Sequence, residues 1–286
     1  AWRAVWEQRE GERQALCVQA LGRFMPAITP ISLSGVPALD IRPRTWRDDG
    51  AALVYLHGGA YVVCSAYSTV NIAAAMADAA GIRVVSIDYT VAPKGRWRQV
   101  SDEICGAIRA LVAAGTPLDQ IVLWGDSAGG ALAAAAALRL RNEGEALPAA
   151  LLLWSPWSDI APLGDTHATL AADEPLYVFS QVLAPAAAAY ADPDDWTHPY
   201  VSPVYGDYSL GFAPTLIQAG TKETFLSNAV RLYRALDLAG VPATLDIWEG
   251  MWHVFQSELD LPEAEQARRK SAAFVRHWLD RSGKAR

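Results

Sequence analysis

Six short apolar runs, at 51–57, 82–89, 120–124, 149–154, 214–219 and 243–248, alternate with helical patterns at 68–80, 100–114, 128–142, 225–239 and 262–281. Each run is bounded by turn residues and apolar at consecutive positions, as a strand buried on both faces must be. A chain with this rhythm has few ways to bury its strands. The expected fold is α/β, a mostly parallel central sheet flanked by helices. Ahead of the rhythm, 31–47 places Gly35 and Pro37 between β-favouring stretches, which suggests an antiparallel hairpin or meander. Segment 1–25 reads as one or two amphipathic helices with Trp2, Val5, Trp6, Leu16, Val18, Leu21 and Phe24 on the apolar side. One interval, 155–212, is too long for a simple connection and is rich in aromatics and prolines. A long insertion between core strands suggests a lid or binding element.

Hydrophobic residues make up 52% of the 286 positions, and the mean hydropathy is +0.10. The longest apolar runs, such as 128–138, fall short of the roughly 20 residues a membrane span requires. The hydrophobicity is therefore assigned to buried strands and close-packed, Ala-rich helices. A net charge of −7 with no Lys/Arg block argues against nucleic-acid binding, which needs a basic face. Cys17, Cys64 and Cys105 have neither the spacing of a disulfide framework nor that of a zinc site. With charges throughout 1–13 in place of a signal-peptide core, a cytoplasmic location is expected. No metal or cofactor motif is present in the sequence.

Gly125-Asp126-Ser127-Ala128-Gly129 lies between the run 120–124 and the helix from Ala128. A G-x-S-x-G sequence in that position forces a sharp strand-to-helix turn. Small neighbours relieve the crowding and leave the Ser127 hydroxyl at the C-terminal end of the sheet. The helix behind it contributes free N–H groups and a positive dipole end. His57-Gly58-Gly59-Ala60-Tyr61 follows the first run. Its small residues allow backbone N–H groups to approach a tetrahedral oxyanion, with Ala128 N–H completing the donor set. A dinucleotide turn would need a further glycine that is missing here. His57 itself is expected to hold the loop.

Among five histidines, only His253 lies just beyond a last strand, where functional groups gather in an open α/β sheet. Glu223 is the only carboxylate in the turn after 214–219 and is the expected orienting acid. Asp246 lies inside the last strand and not at its end. The order Ser127, Glu223, His253 is the chain order of an α/β-hydrolase triad.

Taken together, these motifs resemble the hormone-sensitive-lipase-like family of α/β-hydrolase carboxylesterases. His57-Gly58-Gly59-Ala60-Tyr61 is similar to its oxyanion motif, and Gly125-Asp126-Ser127-Ala128-Gly129-Gly130 to its nucleophile motif. Asp88-Tyr89-Thr90-Val91-Ala92-Pro93 resembles its Asp-Tyr-x-x-Ala-Pro signature, with Ser155-Pro156-Trp157-Ser158-Asp159 and Ser202-Pro203 in support. The resemblance covers roughly residue 25 to the end. It implies one catalytic domain, 1–286, with a cap from about 1–30 and about 162–208. It places the oxyanion hole at Gly58, Gly59, Ala60 and Ala128, with Gly59 and Ala60 as the usual donors of the loop. Two departures stand out: Ala60 replaces the usual third glycine, and Glu223 the commoner Asp.

The implied activity is hydrolysis of short-chain carboxylic esters, without a cofactor. Alternatives on the same triad are a lactone hydrolase or a deacetylase of a natural product, with amidase and peptidase chemistry also open. A binding protein on an inactive hydrolase scaffold would typically lose Ser127 or His253, and both are present. Tyr61, Tyr177, Phe179, Val182, Leu183 and Trp196 are candidates for the substrate pocket, although cap–core packing is the expected fate of most of them. The expected partner is a small-molecule ester; a homodimer would accompany catalysis and not replace it.

Overall fold

The structure is a computed structural model that describes residues 2–172 and 179–284. Its centre is a sheet of eight strands: β1 (Ala27–Leu33), β2 (Val36–Arg42), β3 (Ala52–Leu56), β4 (Val84–Ile87), β5 (Ile121–Asp126), β6 (Ala150–Trp154), β7 (Thr215–Gly220) and β8 (Ala243–Trp248). Their spatial order is β1-β2-β4-β3-β5-β6-β7-β8. The hairpin β1–β2 and the pair β2–β4 are antiparallel; every later pair is parallel. The six apolar runs of the sequence are the six consecutively parallel strands, and the mostly parallel α/β sheet follows from them.

Burial on both faces explains why those runs carry no polar alternation. Along β3, Ala52, Val54 and Leu56 belong to the core on one face, and Leu53 and Tyr55 to the core on the other. Helices α3 (Trp97–Ala113), α4 (Ala128–Asn142) and α7 (Leu226–Leu238) cover the first face. Helices α2 (Val70–Ala80) and α8 (Pro262–Lys284) cover the second. Alanine brings α4 unusually close to the sheet: Ala131 and Ala133–Ala137 are all buried. At its start, a Cβ on Gly129 would stand 1.9 Å from the Leu56 carbonyl oxygen. That close approach sets the end of β5 beside the end of β3, where the two motifs meet.

Segment 2–24 is one helix, α1 (Trp2–Phe24); of the expected apolar side, Trp6, Leu21 and Phe24 pack inward and Val18 does not, and the Trp2 side chain lies outside the described residues. Val18 is 65% exposed, and Leu16 and Val5 are also exposed. The side turned inward runs Trp6, Glu10, Arg13, Cys17, Ala20 and Phe24, at helical spacing. Two charged residues in that stripe hide it from a reading based on hydrophobicity. Glu10 accepts a hydrogen bond from Ser65 Oγ at 3.0 Å, and Cys17 packs with the second core.

The long interval after β6 contains α5 (Thr166–Thr169) and α6 (Ala184–Tyr190). It is tied down by aromatic contacts. Tyr190 of α6 stacks on Tyr61 with ring centroids 3.9 Å apart, Tyr61 meets Trp157 at 5.4 Å, and Trp157 stacks on Phe225 at 5.5 Å. Among the described residues no helix is long and apolar enough to cross a membrane.

Candidate active site

Ser127 joins β5 to α4 with φ 54° and ψ −122°, a strained conformation for a side-chain-bearing residue. The turn is possible only with glycine around it. A Cβ on Gly125 would lie 2.2 Å from the Gly129 carbonyl oxygen. Trp154 of β6 accepts from Ser127 N–H at 2.9 Å, and Trp157 N–H donates to the Ser127 carbonyl at 2.9 Å. The elbow is thus held from the neighbouring strand as well as from its own helix.

His253 follows β8 and is 3% exposed. Its Nδ1 lies 3.1 Å from Glu223 Oε2, so Nδ1–H donates to the carboxylate. Glu223 is fully buried in the turn after β7, and its Oε1 accepts from Gly220 N–H at 3.2 Å. The Phe225 ring meets the imidazole edge to face at 4.9 Å. Val254 N–H donates to Ser155 Oγ at 3.0 Å, which ties the histidine turn to the end of β6. Asp246 is occupied elsewhere, by Gln218, Trp248 Nε1 and Lys270.

The loop after β3 makes a left-handed turn. Ala60 and Tyr61 have φ 52° and 64°, and Val62 N–H closes the turn on the Gly59 carbonyl at 3.0 Å. Positive φ at both central residues is the type I′ pattern, which normally calls for Gly or Asn. The Asp88–Pro93 segment anchors this loop. Tyr89 Oη donates to the His57 carbonyl at 2.7 Å, its ring stacks on the His57 ring at 4.2 Å, and Ala92 N–H donates to the Tyr61 carbonyl at 2.7 Å. His57 holds the loop as expected: its Nδ1 is 2.7 Å from the Gly58 carbonyl and therefore carries the proton. Burial lowers its pKa to about 4.

Asp126, the residue before the serine, has a role not foreseen from the motif. Its carboxylate accepts from Gly58 N–H at 3.0 Å and from Tyr55 Oη. The Gly58 amide is therefore committed to Asp126, and Gly58 does not offer a donor as expected. Among the described residues no acceptor is bonded to the N–H groups of Gly59, Ala60 or Ala128.

A cavity of about 420 Å³ brings these parts together: Gly58, Gly59, Ala60, Ser127 and His253 all line it. Of the substrate-pocket candidates, Val182 lines it too. Tyr61 and Leu183 do not; both are 1% exposed and packed in the core. Trp196 packs against the core from outside and donates its Nε1–H to the Ala191 carbonyl, away from the cavity. Tyr177 and the Phe179 side chain lie outside the described residues. The cap expected from about 1–30 came with no named pocket residue; Val5, Arg9, Glu12, Arg13 and Leu16 of α1 form one wall. Their spacing marks a helix face, but nothing local says that it faces a cavity. Cys64 also lines the cavity, and burial pushes its thiol pKa up, away from thiolate chemistry.

A family model described as alpha/beta hydrolase fold matches residues 53–257. An acetyl-hydrolase of Streptomyces hygroscopicus is 35% identical over 279 residues, covering 95% of this chain and 92% of the relative. The carboxylesterase/phospholipase LipF of Mycobacterium tuberculosis is 35% identical over 262 residues, covering 87% of this chain and 68% of the relative. The crystal structure of an esterase from the bacterial hormone-sensitive lipase family superposes with a TM-score of 0.85 at 36% identity, over 89% of this chain and 85% of that one. The chain belongs to the α/β-hydrolase fold family, within its hormone-sensitive-lipase-like group of carboxylic ester hydrolases.

Proposed function

We propose that the protein is a serine carboxylesterase acting on small, short-chain esters through Ser127, His253 and Glu223. The observation that carries this reading is one cavity lined by a strained, strand-end serine and by a histidine whose Nδ1–H is held by a buried carboxylate. In the first step His253 Nε2 takes the Ser127 hydroxyl proton as Oγ bonds to the ester carbonyl carbon. The carbonyl electron pair moves onto oxygen, where the N–H groups of Gly59, Ala60 and Ala128 stabilise the charge. Collapse breaks the bond to the leaving alcohol, which departs with the proton from His253. Water then attacks the acyl-enzyme, giving its proton to His253, which passes it to Ser127 Oγ as the bond to the acyl carbon breaks and the acid is released. Glu223 fixes the imidazole tautomer and stabilises the imidazolium.

The cap in this reading is α1 together with about 162–208, covering a single catalytic domain. Deacetylation of a natural product is the second reading, favoured by the acetyl-hydrolase relative that matches over nearly the whole chain. A fluorophosphonate probe should label the wild type at Ser127 and leave Ser127→Ala unlabelled. The same variant should fold normally and lose turnover of p-nitrophenyl acetate. Full activity in Ser127→Ala would refute the assignment. A panel of simple acetates, longer acyl esters, lactones and acetylated natural products separates the two readings.

A further inference from the structure

Beside the catalytic cavity lies a second hollow of about 560 Å³, with Trp6, Val91, Ala92 and Pro93 in its wall. Among the described residues, Val62 is the one that lines both hollows. Building on the esterase reading above, we propose that Val62 is the specificity-determining partition that limits the length of the apolar arm of the ester.

The position of Val62 is fixed. Its N–H closes the left-handed turn on Gly59, the residue whose own N–H serves the oxyanion in the proposed mechanism. Its neighbour Tyr61 is buried and bonded through its carbonyl to Ala92 N–H, so the partition is fastened to the wall of the second hollow. Helix α1 roofs both hollows, and Trp6 Nε1 donates to the Cys64 carbonyl at 3.3 Å just beyond Val62. Val62 is itself 3% exposed. A β-branched side chain in that setting has little rotamer freedom with which to swing aside. An acyl chain seated at Ser127 therefore ends at Val62, although the second hollow, lined by the charged Arg3, Glu7 and Lys94 as well as by its apolar residues, continues behind it.

The test is kcat/KM for p-nitrophenyl acetate, butyrate and laurate. In the wild type, laurate should be a poor substrate. Val62→Ala should raise the laurate-to-butyrate ratio by about tenfold or more, the discrimination that a few hydrophobic groups supply. Adding Val91→Trp, which fills the second hollow, should return the ratio to the wild-type value. Should Val62→Ala fail to fold, Val62→Leu leaves no void, adds one methylene that reaches further into the catalytic cavity, and should lower laurate and butyrate relative to acetate. An unchanged ratio in a folded Val62→Ala that still turns over acetate and labels with fluorophosphonate overturns the partition and leaves the esterase reading standing. So does a gain that survives Val91→Trp. A wild type that neither labels nor cleaves acetate overturns both.

Discussion

Ala60 in the loop after β3 and Glu223 in the turn after β7 each carry a consequence that can be measured. Ala60 sits at φ 52°, where a Cβ is crowded by the following carbonyl. Ala60→Gly should raise the thermal midpoint, with a net gain of about 0.5–1 kcal/mol after the added freedom of the unfolded chain is counted. An unchanged or lower midpoint would show that the turn does not strain Ala60. Glu223 holds the Nδ1–H of His253 from full burial. Glu223→Gln keeps the shape and removes the charge. It should lower kcat roughly 10⁴-fold, less than loss of Ser127 or His253. An intact kcat in that variant would assign the orienting role to another group. Local sequence made both residues visible, one by a motif and one by its turn. It did not show that Gly58 N–H is taken by Asp126, because that bond joins residues 68 apart in sequence.

At the scale of elements, the elbow works because α4 presses on β3. Gly129 stands where a Cβ would be 1.9 Å from one backbone oxygen and 2.7 Å from the next, those of Leu56 and His57. Backbone cannot yield as a flexible side chain can. Gly129→Ala should therefore destabilise the fold by about 3 kcal/mol or more and displace both the serine and the loop donors, read by a urea melt and by fluorophosphonate labelling. A variant that labels and melts like the wild type would mean that the two elements are not in such contact. Strands and helices were legible because their burial leaves a simple periodic signature. Helix α1 was legible as a helix, but its inward side only in part, through Trp6, Leu21 and Phe24. Glu10 and Arg13 face inward against polar partners and a cavity, so the stripe that packs is not the stripe that is most hydrophobic.

Across the whole molecule, the buried His57 links loop geometry to global stability. Its pKa of about 4 in the folded protein lies below the ordinary value of 6.5. The unfolded chain therefore takes up a proton that the folded one refuses. Stability from this group is complete above about pH 6.5 and falls as the pH drops toward 4, by about 2 kcal/mol at pH 5. Urea midpoints of wild type and His57→Asn between pH 7 and pH 5 should show that slope in the wild type and a shallower one in the variant. Equal slopes would mean that His57 does not titrate this way. On the same scale, the sequence by itself determined the sheet, the flanking helices, the serine elbow and the chain order of the site residues. Those features follow from local periodicity and turn chemistry. Only the tertiary structure decided what lines the cavity: Val182 and α1 stand at it, while Tyr61, Leu183 and Trp196 pack elsewhere. An apolar side chain looks alike in sequence whether it meets a core or a substrate. Its fate is settled by which distant elements close over it.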